Sequence, residues 1–396
     1  MNILIAVGHF FRDQRGGASR IAWDCALWLH ANGHDVVLLC EGDLGSPASE
    51  HFDGVRVLRY QQLSGRNPWR RHCRAAVALI QEQLGDWTPD LVWGHAPFQF
   101  LAACHVYPHA RCNYVLHSPL PLEILQSCLE PDWRLRLKAL AGKRIERKCL
   151  ECAERVQVLS QFTQDCLQSL YPKIASKVVV TPGWADTDLF QPILNRAAAK
   201  RDLGWPTDAP VLFTARRLVP RMGIDRLIAA LSGLKQKRAN VHLYIAGDGE
   251  MRDTLEAQIK AMQLTESVRL MGGLEEDQLI KCMAACDAFV IPTIALECFG
   301  LIAVEAMSAG VPVLSTPIGA LPEIIGRFEP RWFARDASPQ ALEVLIGSFV
   351  NRLLPTHERR ALHHYVEQRY SHRNALPNFC NAATREPEAV SSELSA

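Results

Sequence analysis

The chain has 396 residues, 48% of them hydrophobic and 21% charged, with a formal net charge of +1. That length implies two or three domains, and that composition an ordinary α/β protein with real cores. The charge balance carries no signal for nucleic acid or for an acidic substrate, and no run of about 18 apolar residues offers a membrane span.

The start of the chain lacks a basic segment, so Ile3–Val7 reads as a fully buried first strand and not as part of a signal peptide. Gly16 and Gly17 then precede an amphipathic helix from Ala18 to Ala31. Paired glycines before a helix let backbone approach a phosphate or a sugar; a tight turn explains them equally well. The pattern is not G-x-G-x-x-G, which counts against a dinucleotide dehydrogenase. Asp35–Cys40 is the second strand, and strand, helix, strand at this spacing makes a parallel βαβ unit. Val55–Leu58, Asp90–Gly94 and Cys112–Leu116 read as further strands, with a helix from Trp69 to Leu84. His95 and His117 directly follow two of them. Ligands of open α/β sheets lie beyond the carboxyl ends of strands, although a lone histidine is more often structural.

Asp132 to Leu150 reads as a basic amphipathic helix, with Leu137, Leu140, Ala141, Ile145 and Cys149 at helical spacing and Arg and Lys opposite. Such a face either packs on its domain with the charges solvated or binds anionic lipid or an anionic acceptor. The 13 cysteines are scattered, and Cys149 and Cys152 form a C-x2-C pair with no partner pair at zinc spacing. They read as reduced thiols of a cytosolic protein. Arg155–Ser160 is a strand, and Ser160 caps the helix that follows. Lys177–Thr181 closes the first half. Gln191 to Ala209 is polar and proline-bounded, which fits a hinge.

The second half restarts the alternation with strands at Val211–Ala215, Val241–Ala246, Val268–Met271, Ala288–Ile291 and Val311–Ser315. Its most informative stretch is E-C-F-G-L-I-A-V-E, residues 297–305. Glu297 sits in the loop after a buried strand, and Glu305 in the second turn of the helix expected over Gly300–Ser308. The first turn leaves the N–H groups of Phe299, Gly300 and Leu301 unpaired, which attracts an anion such as a diphosphate. Carboxylates beside a phosphate need neutral partners, and the hydroxyls of a ribose and a sugar ring supply them. Taken by spacing alone, Glu297 can equally be a charge favoured by the helix dipole and Glu305 a solvated residue. The apolar neighbours of Glu305, from Leu301 to Met307, favour a ligand or a buried partner.

The segments A-C-D-A-F-V-I-P-T, L-E-C-F-G-L-I-A-V-E-A-M-S-A-G-V-P-V and G-A-L-P-E-I-I, between Ala285 and Ile325, closely resemble the retaining glycosyltransferases of family 4. The resemblance extends from Asn2 to about Tyr370. It implies an α/β protein of GT-B fold, two Rossmann-like domains whose parallel sheets face each other across a cleft. The expected division is an acceptor domain over 1–188, a nucleotide-sugar domain over 189–365, a helical return over 366–384 and a disordered tail over 385–396.

By the same resemblance, Glu297 and His117 act on the transferred sugar and Glu305 on ribose hydroxyls. Arg217, with Arg221 as a possible second cation, grips the diphosphate together with Cys298, Phe299, Gly300 and Leu301. Gly16 and Gly17 lie beside the diphosphate and acceptor, Gly272 near the base, and the loop Thr316–Gly319 near the diphosphate. The chain departs from the family at Met222, where a lysine is usual, and at Trp184, which replaces a small residue and would narrow the pocket or stack on a ligand. The implied partners are a nucleotide-diphosphate sugar and a hydroxyl acceptor, with peripheral membrane contact through 132–150 and no nucleic acid. No metal or other cofactor is implied. A sugar-nucleotide epimerase of the same fold and a non-catalytic sugar-nucleotide-binding subunit are the alternatives.

Overall fold

The computed structural model describes residues 1–14, 16–61, 68–128 and 130–385. Two sheets carry the fold. The first contains β1 (Asn2–His9), β2 (Asp35–Gly42), β3 (Ser49–Phe52), β4 (Val55–Gln61), β5 (Leu91–Gly94), β6 (Arg111–Leu116), β7 (Arg155–Val158) and β8 (Val178–Val180). Their spatial order is β3-β4-β2-β1-β5-β6-β7-β8, parallel except for the edge pair β3–β4. The second contains β9 (Val211–Ala215), β10 (His242–Ala246), β11 (Val268–Gly272), β12 (Ala288–Ile291) and β13 (Val313–Ser315), in the order β11-β10-β9-β12-β13, all parallel. Both sheets are covered by helices, which is why their central strands are nearly unbroken apolar runs. Ile3, Leu4, Ile5 and Ala6 of β1 and Ala288 to Ile291 of β12 are wholly buried.

The strand orders place the site. In the first sheet the connection direction reverses between β1 and β5, and in the second between β9 and β12. A crevice opens beyond the carboxyl ends at each such reversal. The loops lining it are the segment before Gly17, the turns at His95 and His117, the arginines after Ala215 and the Glu297 loop. The two crevices face each other.

The expected strands and principal helices are present, the helix Leu301–Ser308 among them, with Gly300 as its N-cap. The sequence reading gave no bounds for β3 or for the helices Pro97–Val106, Leu120–Leu125, Arg196–Asp202, Ile224–Gln236, Leu321–Ile324 and Pro339–Val350. The return expected over 366–384 begins too early, because the helix Thr356–Tyr370 packs on the second lobe, against Leu301–Ser308. The return is made by His372–Thr384, which packs on Gly17–Ala31. There Asn113 Nδ2 donates to the Ala383 carbonyl at 2.7 Å, and Gln157 Nε2 donates to that of Phe379 at 3.0 Å. Beyond Arg385, the tail expected to be disordered lies outside the described residues.

Residues Gln191 to Ala209, expected as a hinge, carry the helix Arg196–Asp202, and this helix is fastened to the second sheet. Asp287, buried before β12, accepts from Lys200 Nζ at 2.6 Å, Arg196 Nη1 at 2.8 Å and the Val211 amide at 2.8 Å. Removing one side of a buried ion pair leaves the other charge uncompensated. Asp287→Ala should therefore lower the unfolding free energy by about 3 kcal/mol in urea titrations, with Lys200→Met much milder.

Candidate active site

One cavity of about 580 Å³ lies between the lobes, and both contribute to its walls. From the first lobe come Gly16, Gly17, Arg20, His117 and Ser118. From the second come Arg216, Arg217, Arg221, Met222, Glu276, Glu297 to Leu301 and Glu305. Ten sequence-derived site residues thus meet in one place: Gly16, Gly17, His117, Arg217, Arg221, Glu297, Phe299, Gly300, Leu301 and Glu305, with Cys298 as an eleventh. Gly272 does not line it. Its carbonyl accepts the Gly247 amide at 2.7 Å as β11 ends, and Gly273 and Leu274 form the wall instead.

The Glu297 loop is held from behind. The Ala320 amide donates to the Glu297 carbonyl at 2.8 Å, and a Cβ at Gly319 would stand 2.1 Å from that oxygen. Gly319, at φ +66°, is therefore required to be glycine both by its backbone and by its neighbour. The loop from Thr316 to Gly319 thus supports Glu297 from below and does not itself line the cavity. Across the cleft, Ser160 Oγ and Thr163 Oγ1 donate to the Cys298 carbonyl at 2.5 and 3.0 Å. The amides of Phe299, Gly300 and Leu301 have no acceptor among the described residues. A side chain at Gly17 would press on Leu301, its Cβ 3.2 Å from Cδ1, so the glycine lets the lobes approach.

Three arginines follow β9, and they differ. The Arg217 side chain is 64% exposed and lies 3.7 Å from Glu123 of the opposite lobe. Arg221 is more enclosed, donates to the Leu296 carbonyl at 3.1 Å and lies 3.8 Å from Glu123. Arg216, which the sequence reading passed over, is 6% exposed. Its Nη2 donates to Glu297 Oε2, to Thr293 Oγ1 at 3.1 Å and to Met222 Sδ at 2.9 Å. Adjacent residues leaving a strand point to opposite sides, so sequence alone could not say which arginine turns inward.

Glu305 is raised to about 7 because the cleft walls desolvate it; Arg20 opposes that shift and Glu276 and Asp24 add to it. Arg20, from the helix Gly17–Ala31, pairs with Glu276 of the second lobe and with Asp24 at 3.6 Å, and its guanidinium lies over the Phe11 ring. Neither Arg20 nor Glu276 carried a motif that sequence reading could find. His117 Nε2 lies 3.0 Å from His95 Nδ1. Burial holds His95 well below the usual imidazole range and His117 at about 4, so the pair is neutral. His95 thereby orients the His117 ring.

Trp184 does not enter the cavity. It is buried, donates to Asp24 Oδ2 at 2.9 Å and packs edge-on against Phe379 of the returning helix. The expected apolar face of Trp133–Cys152 also needs correction. Ala139, Gly142, Glu146 and Cys149 face the protein, whereas Leu137 and Leu140 face outward. The cause is close packing at Gly142, where a Cβ would lie 2.9 Å from Ile124.

Comparison with known proteins agrees with this geometry. Residues 15–189 match the model of Glycosyltransferase Family 4, and residues 195–365 that of Glycosyl transferases group 1. An uncharacterised glycosyltransferase of Methanocaldococcus jannaschii is 37% identical over 323 residues, covering 78% of this chain and 79% of its own. Among solved structures, sucrose-phosphate synthase of Thermosynechococcus elongatus superposes with a TM-score of 0.81 at 19% identity, over 96% of this chain and 98% of its own. The Anabaena protein HepE, solved with UDP and glucose, gives 0.77 at 19%, over 96% and 99%. The chain is a family 4 glycosyltransferase with the GT-B fold.

Proposed function

We propose that this chain moves a sugar from a nucleotide-diphosphate donor, UDP- or GDP-linked, to a hydroxyl acceptor such as a glycan, a lipid-linked saccharide or a small molecule, with retention at the anomeric carbon and without a metal ion. The observation that carries this reading is the convergence on one cavity of Arg217, Arg221, Glu297, Glu305 and the unpaired amides of Phe299 to Leu301. Fixed donors aimed at a leaving diphosphate stabilise its growing charge where a metal would otherwise serve. Glu305 then accepts from ribose hydroxyls and Glu297 from hydroxyls of the transferred sugar. His117 holds that sugar from the opposite lobe, and Gly16 and Gly17 let backbone approach the diphosphate and the acceptor. The base rests near Gly273 and Leu274. The HepE complex with UDP and glucose supports a nucleotide-sugar donor. Among the described residues none stands out as a covalent nucleophile, so same-face attack in a closed cleft fits best, and positioning supplies much of the rate.

The exposed stripe Trp133, Leu137 and Leu140, at 66%, 55% and 57%, supports peripheral membrane contact, which we place on the cytoplasmic side. These residues recur at helical spacing beside Arg134, Arg136 and Lys138, a pattern suited to anionic lipid. No helix among the described residues is long and apolar enough to cross a membrane.

The first test is incubation with UDP-, GDP- and ADP-sugars, with and without acceptors, in EDTA. Free nucleotide released only with acceptor supports transfer; an epimerised donor, or tight binding without turnover, supports the alternatives. Glu297→Gln should reduce transfer at least about 100-fold with nucleotide affinity within about threefold; a rate within about twofold of wild type removes its role. Ribose hydroxyls favour the ionised Glu305, whose carboxyl titrates at about 7. Affinity for a nucleotide sugar, whose phosphodiesters do not titrate there, should thus rise about tenfold from about pH 6 to about pH 8, and Glu305→Gln should flatten the profile. Sedimentation with vesicles containing phosphatidylglycerol should bring down the wild type, and Trp133→Ser with Leu137→Ser should weaken that binding about tenfold; equal binding by the double variant removes the membrane contact.

A further inference from the structure

Arg216 is held by its backbone and by one nitrogen of its guanidinium. Its amide donates to the Ala246 carbonyl at 3.0 Å, which ties the residue to the end of β10. Its Nη2 is shared among Glu297, Thr293 and Met222. Thr293 is itself wholly buried and accepts Thr316 Oγ1 on its carbonyl at 2.5 Å, so the support is rigid. Nε and Nη1 of Arg216 have no partner among the described residues, yet the side chain lines the cavity. A guanidinium offers five donors in a planar fork. Here Nη2 is spent on holding the side chain, and the hydrogens of Nε and Nη1, on either side of it, are left for a ligand.

The other two arginines are less suited to hold a fixed geometry. Arg217 is largely exposed, and both it and Arg221 lie close to Glu123. Arg216 also offsets the charge of Glu297, which would otherwise repel a diphosphate in the same cavity. We infer that Arg216, through Nε and Nη1, is the principal cation on the leaving diphosphate, with Glu297 and Thr293 holding it in register. This rests on the transfer reading above. In that step the C1–O bond to the diphosphate breaks with its electron pair staying on the phosphate oxygen. The acceptor oxygen forms the new bond to C1, and its proton passes to the released phosphate. Arg216 stabilises the charge that the phosphate gains.

Met222 provides the means of testing this. Its sulfur lies 2.9 Å from Arg216 Nη2, so a lysine at 222 would carry its ammonium into the space that the guanidinium fills. The variants are Arg216→Ala, Arg216→Lys and Arg216→Ala with Met222→Lys. Calorimetry compares UDP, GDP and ADP with uridine, guanosine and adenosine. For the diphosphate that wild type binds, Arg216→Ala should lose about 30-fold in affinity, with the matching nucleoside within about twofold. Arg216→Lys should lose less, and Arg216→Ala with Met222→Lys should recover about tenfold, in affinity and in transfer rate alike. A loss below about threefold, an equal loss for nucleoside and diphosphate, or no recovery in the double variant overturns the assignment. If wild type binds a diphosphate but transfers from no donor, the transfer reading fails while the affinity comparison still decides the role of Arg216 in binding.

Discussion

A carboxylate and a guanidinium share the floor of the cleft, and the rest of the site is arranged about that pair. Glu297 would be poorly placed beside an anion if it stood alone, because two like charges in a partly desolvated space repel strongly. Arg216 removes that difficulty and in return is held still. The scaffold keeps both groups in place with two main-chain bonds and one threonine hydroxyl, drawn from the ends of three strands of the second sheet. Ala246 at the end of β10 fixes Arg216, Thr293 after β12 receives its guanidinium, and the turn after β13 holds the carbonyl of Glu297. These bonds are already made without a substrate, and dipoles fixed in advance are the kind that stabilise developing charge.

The lobes are joined by the chain that returns to the first lobe and by direct contacts across the cleft. The returning helix is seated on the first lobe by apolar contacts: Trp184 packs on Phe379, and Phe379 on Trp93. At the rim of the cleft the direct contacts are polar. Glu323 accepts the amides of Gln161 and Phe162 at 2.9 and 2.7 Å, capping a helix of the opposite lobe. Arg20 reaches Glu276, and Glu123 approaches Arg217 and Arg221. Half-exposed ion pairs are worth little once water competes for them. The apolar seating of the returning helix thus ties the two lobes through the chain, and the ion pairs at the rim add little to it.

Burial gives the same residue type different chemistry in different places. Glu305 and Glu146 are both raised to about 7 by desolvation. Glu146 is nonetheless fully used, accepting the Leu120 amide at 2.6 Å and the Tyr171 hydroxyl at 2.7 Å. It anchors the segment just after His117 and has no opening to the cavity. Glu305 lines the cavity and meets only charges across it. A shifted carboxyl marks a candidate site only when geometry also gives it a ligand to face.

Much of the fold was legible because its signals are local. Unbroken apolar strands such as Ile3–Val7 and Val211–Ala215, and the amide-rich start of Leu301–Ser308, declare themselves within a few residues. The short helix Leu120–Leu125, with a proline in its first turn, and the polar edge strand β3 carry no such pattern and went unread. By itself the sequence determined the alternation of strands and helices, the family and the position of the Glu297–Glu305 motif. Tertiary structure decided that Arg216 turns inward, that Trp184 is a joint and not a pocket wall, that Leu137 and Leu140 face outward, and that Glu305 resists ionisation. Periodicity is a property of neighbours in the chain. Burial and electrostatic potential are sums over residues far apart in it, and only the packed lobes bring those residues together.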